Sequence, residues 1–429
     1  MQFSQRRSAA ILAISTLVLV AMMGLPVQAQ LGSPLPNLAP VESKVFTAGQ
    51  SQFFRLWGVQ EGFGPVSTDG GCSRCHKQPV IGGGAARLLT FFGKTNPDGS
   101  FDQLISEGGP ILQPLSNAPF IKSGLCTLQG EQIPADANAI DKRMTAPLFG
   151  FGLVDAIADQ DILNQVTFEA VNYVSDGIHG VANLVADYKG VIRPGRFGRK
   201  AQQPTLLQQV AAAFAHDLGI TNPLVFPEDC PQGNCNIDPN CVDNIDPNVP
   251  NNNNTASGGK GIFAIADFPR FLAPPPPPNL TGNVLLGQGV FMATGCNECH
   301  LPAYQTPLQV FYDIDLNGTQ FGPSPSISNQ TVGLYSDLLL HDMGVKNKSK
   351  FPANTLITGQ ATNSQWRTTP LWGLGVRTAF WHDGSKKDIP SAILQHSPDG
   401  SGEAAVVIQR YHALSPTDQA NLLAFLSAL

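Results

Sequence analysis

Cys296-Asn297-Glu298-Cys299-His300 sets two thiols three apart, with an imidazole directly after the second. A second copy stands upstream at Cys72-Ser73-Arg74-Cys75-His76. Thiols at this spacing can add across the two vinyl groups of a porphyrin, and the histidine then ligates the iron from one face. With 8 Cys and 8 His in 429 residues, chance yields on the order of 0.003 such strings, and there are two. A zinc site or a redox thiol pair is the minor alternative. The chain is therefore expected to house two covalently bound haem c groups. Cys72, Cys75, Cys296 and Cys299 would carry the thioethers, and His76 and His300 would each take one axial position.

The other axial position decides function. Met or His there gives an electron carrier, whereas an open position permits chemistry on a small molecule. In the C-terminal half the candidates are His341, Met343, His382 and His396. The chain also repeats itself: Thr145-Ala146-Pro147-Leu148-Phe149-Gly150-Phe151-Gly152 matches Thr368-Thr369-Pro370-Leu371-Trp372-Gly373-Leu374-Gly375. Pro147 lies 71 residues after His76 and Pro370 lies 70 after His300, the mark of a duplicated unit. Carrying that repeat forward sets Tyr173 opposite His396, so Tyr173 is a candidate distal ligand for the first haem, with His179 and His216 as neighbours. The N-terminal half has no evident histidine partner for His76, which makes the His76 haem the candidate reactive one. An aromatic residue between the haems could relay electrons, and Trp372, inside the repeated loop, is the choice.

Arg367-Thr368-Thr369-Pro370-Leu371-Trp372, followed by Phe380-Trp381-His382-Asp383-Gly384, resembles the bacterial dihaem cytochrome c peroxidases and the related enzyme that matures tryptophan-derived quinone cofactors. The match is closer still to the di-haem oxidoreductase family, whose members are also labelled peroxidases and thiol oxidoreductases. Its hallmarks read here as Gly195–Pro204, Tyr335–Gly344 and the Arg367–Trp372 stretch, and the resemblance covers nearly the whole chain apart from an Asn-rich insertion. It implies that His396 is the distal ligand of the second haem, with Met343 as runner-up. It also implies a catalytic carboxylate at Asp155, within Gly152-Leu153-Val154-Asp155-Ala156-Ile157, where the family usually has Glu. The competing role for Asp155 is to cap a helix.

Holding these residues requires helices and loops. Ala156–Val174 and Thr205–Leu218 read as helical. The C-terminal helix has Ser415 as N-cap, Pro416 at its first position and an apolar face of Leu422, Leu423, Phe425, Leu426 and Leu429. Gly 43 and Pro 35, with only 14% charged residues, point to long irregular loops. The expected fold is mainly α, with two cytochrome c-like haem domains. The expected boundaries are a signal peptide at 1–29, an N-terminal haem domain at 30–227, a low-complexity insertion and Pro-rich linker at 228–279, and a C-terminal domain at 280–429. The insertion's Asp and Asn oxygens could hold Ca²⁺, although a solvated loop is the plainer reading. Four cysteines remain for disulfides: Cys126, Cys230, Cys235 and Cys241. They allow three connectivities, and if all pair, Cys126 joins one of the other three.

Arg6 and Arg7, an apolar run from Ala9 to Leu25 and Val27-Gln28-Ala29 read as a secretory signal cleaved after Ala29. No membrane span is expected after cleavage, and the destination is the periplasm, where haem c attachment and disulfides both form. The formal charge of −6 falls to −8 without Arg6 and Arg7, which disfavours nucleic acid and suits a partner with a basic patch. The expected function is a dihaem oxidoreductase that reduces hydrogen peroxide with electrons from a small redox protein. The alternatives are a non-catalytic electron carrier and an oxidase drawing electrons from a protein or thiol.

Overall fold

Helices cross in two matching pairs, and each crossing is set by glycine. In the computed structural model the helices among the described residues are α1 (Pro40–Phe54), α2 (Cys72–Cys75), α3 (Phe151–Ala156), α4 (Asp159–Asn172), α5 (Leu206–Leu218), α6 (Gly261–Phe271), α7 (Gly282–Thr294), α8 (Ile389–Leu394), α9 (Ala405–His412) and α10 (Pro416–Ala428). α1, which leads to the first Cys-x-x-Cys-His string, packs across α6, and α7, which leads to the second, packs across α10. A Cβ at Gly49 of α1 would lie 2.4 Å from the Ala264 carbonyl oxygen of α6, and one at Gly287 of α7 only 1.9 Å from that of Asn421 on α10. Only a residue without Cβ lets two helix backbones approach this closely. The last glycine of each repeated loop does the same. Gly152 abuts the Arg270 carbonyl at the end of α6, and Gly375 abuts that of Ser427 near the end of α10. The sequence repeat is thus a repeat of packing.

The described residues are 30–85, 87–121, 124–225, 229–241 and 261–429. The signal segment and the Asn251–Asn254 run, with the Ca²⁺ expectation attached to it, lie outside them.

Helix makes up 34% of the structure and strand 14%, with several small sheets. The expectation of a mainly α fold with two cytochrome c-like domains is corrected accordingly: this is a mixed α/β chain. The largest sheet pairs Leu88–Thr95 antiparallel with Ala139–Met144 and Phe101–Asp102. Thr90, Phe91 and Phe92 are strand formers, and Phe92 is fully buried. The other sheets are two-stranded ladders such as Leu184–Ala186 with Ile192–Pro194 and Leu340–Asp342 with Gln365–Arg367. They staple the long loops that a reading of helical periodicity left irregular.

Two further boundaries differ from expectation. α6 falls inside 228–279, so residues 261–271 belong to the first helix pair and not to a linker. The helix expected over Ala156–Val174 is found as α4, Asp159–Asn172, which starts three residues late, after the separate short α3. The reason is Arg196, 1% exposed, whose Nη1 donates to the carbonyls of Val154, Asp155 and Ile157 while its Nη2 pairs with Asp159 at the start of α4. α5 and α10 begin as the sequence indicates, with Thr205 Oγ1 accepting from Gln208 N–H (3.2 Å) and Ser415 Oγ accepting from Asp418 N–H (3.1 Å). Leu422, Phe425 and Leu426 of α10 bury against Phe291 and Tyr335.

Two disulfides fasten the 229–241 segment, Cys126–Cys241 and Cys230–Cys235. The first closes a separation of 115 residues, which in the chain-entropy account stabilises by about 4–5 kcal/mol. Among the described residues no helix is long and apolar enough to cross a membrane.

Gly287 and Gly289 give a paired test. Gly289 meets nothing within 4 Å. Gly287→Ala should lower stability by about 1–3 kcal/mol by forcing α7 off α10, whereas Gly289→Ala should raise it by about 0.5–1 kcal/mol. Thermal unfolding of the two holoproteins checks the sign of each.

Candidate functional site

α7 delivers the second string, and a left-handed turn at Gly295 carries the chain into Cys296–Glu298. His300 follows. Its Nδ1–H donates to the Tyr335 carbonyl (2.9 Å), which fixes the tautomer and leaves Nε2 as the free acceptor. His396 sits just past α8, and its Nδ1–H donates to the carbonyls of Ala392 (2.9 Å) and Ile393 (3.1 Å), again leaving Nε2 free. Burial, reinforced by the facing His396, pushes the His300 pKa down to about 4, and burial also lowers that of His396. Both rings are therefore neutral, which is the ligating form.

The two ring centroids lie 6.3 Å apart, with the ring planes inclined at 66°. A metal–imidazole bond is about 2.0 Å and a ring centroid lies about 1.1 Å from its nitrogen, so two imidazoles on one metal ion should have centroids about 6.2 Å apart. The spacing fits an iron between them. Met343 lines the same cavity.

The cavity holding this pair has a volume of about 480 Å³. Its walls come from both repeated loops: Thr145, Pro147 and Phe149 from one, Thr368, Leu371 and Trp372 from the other. Trp372 bridges them. Its Cη2 lies 2.6 Å from where a Cβ on Gly150 would be, so the first loop accepts the indole only because residue 150 is glycine. Three half-buried arginines, Arg199, Arg367 and Arg377, also line the cavity. Each donates to backbone carbonyls, and none has a carboxylate within ion-pair distance among the described residues. Nε of Arg199 and of Arg377 has no partner at all. Burial pushes their pKa values down to about 10, and that of Arg367 to about 9. Buried cations without anions are costly, and the propionates of a haem supply the missing charge. The donor set and the orphaned guanidinium nitrogens both fit the group.

The first string forms α2. His76 Nδ1–H donates to the Gly83 carbonyl (3.2 Å), which prepares Nε2 as in His300. Its ring neighbour among the described residues is Phe53 of α1, at 6.1 Å. No histidine ring stands opposite it there. Tyr173 closes α4 on the other side of the molecule, where its charged neighbours are Glu298, Glu169 and Cys299 of the second site. It does not face His76. His179 is 65% exposed, with its backbone N–H on Glu403, and His216 is bonded to Asp229 through Nδ1 (2.7 Å).

Asp155 is committed elsewhere. Its Oδ1 accepts from Leu206 N–H (2.8 Å) at the start of α5, and its Oδ2 faces Arg270 Nη1 (3.3 Å). It caps α5 and does not stand free over an iron. The helix it caps is reached through the tertiary fold, which local sequence cannot show. Asp217 is the carboxyl that the sequence did not flag. Its charge reaches both Cys72 and Cys75, and its own carbonyl accepts from Thr68 and Asp69 just before α2. Burial raises its pKa to about 6.

Behind the second site lies a buried cluster. His341 is 2% exposed, and its Nε2 bonds Asp337 (2.9 Å) and its Nδ1 Glu403 (2.7 Å). Nδ1 is also 3.7 Å from Cys299 Sγ, the atom that stands for the thioether sulfur. Glu169, from α4, approaches Nε2 at 3.9 Å. Glu169 and Glu403 lie outside every recognisable motif and could not be picked out beforehand. His382 stacks on Trp366 (3.8 Å, 15°).

Two haem-attachment strings, one with a facing imidazole and one without, define a dihaem redox protein. Residues 127–429 match the family described as "Di-haem oxidoreductase, putative peroxidase", and the chain belongs to that family. It is accordingly a dihaem redox enzyme. No curated protein matches. Among solved structures, a chain of Kuenenia stuttgartiensis hydrazine synthase aligns over 99% of this chain and 100% of its own, at 14% identity and a TM-score of 0.38. A MauG-like protein associated with microbial copper homeostasis aligns over 70% of this chain and 91% of its own, at 13% identity and a TM-score of 0.29. Scores this low carry no structural weight.

His396→Ala should convert the second haem from low spin to high spin, and added imidazole should reverse it. Electron paramagnetic resonance of the oxidised protein reads both. A low-spin signal that survives the substitution would hand the position to Met343.

Proposed function

We propose that this is an exported, periplasmic dihaem c enzyme that reduces hydrogen peroxide with electrons from a small redox protein. The observation that carries the reading is the asymmetry between the two histidines: the His396 ring lies 6.3 Å from that of His300, whereas no histidine ring pairs with His76 among the described residues. A haem held through one axial position supplies an iron at which a small oxidant can be reduced. Cys72, Cys75 and His76 would hold that group, and Cys296, Cys299, His300 and His396 would hold its partner. The pair around His300 then serves as the electron inlet, and Trp372, wedged between the two repeated loops, lies on the short route from one site to the other.

Peroxide cleavage also needs a proton carried from one oxygen to the other, and a group with a pKa near the working pH does this best. Asp155 is occupied as a cap. Asp217, buried beside the first string with a pKa of about 6, takes the role in this reading. Export is supported by the N-terminal sequence and by two disulfides, which persist in oxidising compartments.

Protein isolated from the periplasm should begin at residue 30 and retain two haems after denaturation. Half-reduced protein should turn over hydrogen peroxide. Asp217→Asn should slow that turnover by about 10²–10⁴-fold, and Trp372→Phe should slow transfer between the haems. Stopped-flow absorbance measures both rates. Half-reduced protein that binds two haems yet leaves peroxide unconsumed would make the chain an electron carrier instead.

A further inference from the structure

The Tyr335–Gly344 stretch does more than aim His300 through the Tyr335 carbonyl: it also builds a buried cluster of charged groups. Asp337 and His341 come from this stretch, Glu403 from the loop before α9, and Glu169 from α4. Asp337 and Glu169 are 0% exposed and Glu403 7%. Backbone donors pin every carboxylate: Leu339 N–H on Asp337 (2.8 Å), Asp342 N–H on Glu403 (2.9 Å) and Gly180 N–H on Glu169 (2.9 Å). Three carboxyls thus surround one imidazole, and that imidazole touches Cys299 Sγ at 3.7 Å.

We propose that the Asp337–His341–Glu403–Glu169 cluster is a positioning device that places net negative charge against Cys299 and thereby lowers the reduction potential of the haem held by His300 and His396. Reduction adds an electron to that haem. A fixed negative charge close by, in a poorly polarisable interior, opposes the addition. His341 can offset only one carboxylate. The other cations near this side are already engaged: Arg410 pairs with Asp176 and with Glu298. Arg199, Arg367 and Arg377 line the cavity that the propionates would share. The effect is to make the second haem a better donor to the first. Because Glu169 and Gly180 come from the N-terminal half and the rest from the C-terminal half, the device also ties that potential to correct seating of one half on the other.

The inference rests on haem at the second string and not on the peroxide reading, and the test separates them. The double variant Asp337→Asn/Glu403→Gln removes both strong partners of His341. With Glu169 in an unchanged protonation state, removing two carboxylates raises the local charge by one if His341 loses its proton and by two if it keeps it. Spectroelectrochemical titration of the holoprotein should show the second haem's midpoint shifted upward by about tenfold in the ferric-to-ferrous equilibrium, which is 59 mV for a one-electron couple. The first haem's midpoint and the second haem's low-spin spectrum should be unchanged. An unshifted midpoint with intact low-spin ligation would overturn the proposal, and so would an equal shift at both haems. Should that variant yield no holoprotein, Asp337→Asn/Glu169→Gln leaves Glu403 to neutralise His341, and the same titration decides. None of these readings depends on peroxide turnover.

Discussion

Two imidazoles must be held about one metal ion apart, and most of the second half of the chain serves that spacing. His300 and His396 lie 96 positions apart in sequence, so no local preference can set their 6.3 Å separation. Each ring is aimed by a bond from its other nitrogen, His300 to the Tyr335 carbonyl and His396 to the end of α8. Tyr335 adopts a left-handed backbone (φ 51°), a turn that lets its carbonyl reach the ring. α7, which carries Cys296, is fixed against α10 at Gly287. The ligand geometry therefore depends on a helix crossing that a single methyl group would disturb.

The same region shows a protein whose interior is completed by its cofactor. Three half-buried arginines line the cavity with no carboxylate in ion-pair distance among the described residues, and Nε of Arg199 and of Arg377 lacks a partner there, a state the folded chain does not favour unaided. The negative cluster around His341 lies on the other wall of the same site. Cations toward the shared cavity and anions behind Cys299 give the second haem a polarised setting, and the first half carries its own versions, with Arg143 before its repeated loop and Asp217 beside Cys72 and Cys75. Duplication supplied two helix pairs and two loops. The divergence between them lies in the ligand opposite each histidine and in the charge around it.

How much of this was legible follows from how local each feature is. The attachment strings and the Ser415 cap are set by residues within a few positions of each other, and both could be read directly. The repeat was legible as matched loops, although its structural content, glycines admitting helix backbones and Trp372, emerged only from packing. The mixed α/β content was missed because the strands are mostly two or three residues long and leave no periodicity to detect. The start of α4 was set three residues early because what delays it, Arg196 on the Ile157 carbonyl, is some forty positions away. Asp155 looked like an acid–base group by position, and the distant Leu206 and Arg270 claim it. Tyr173 was placed by ungapped counting, and α4 carries it to the opposite site.

The central claim is that the two irons differ in coordination: the second closed by His300 and His396, the first open beside His76. Electron paramagnetic resonance of the fully oxidised holoprotein separates the two ferric irons by spin state. The account predicts one high-spin and one low-spin ferric signal. Two low-spin signals would mean that a side chain closes the first iron, and would contradict it.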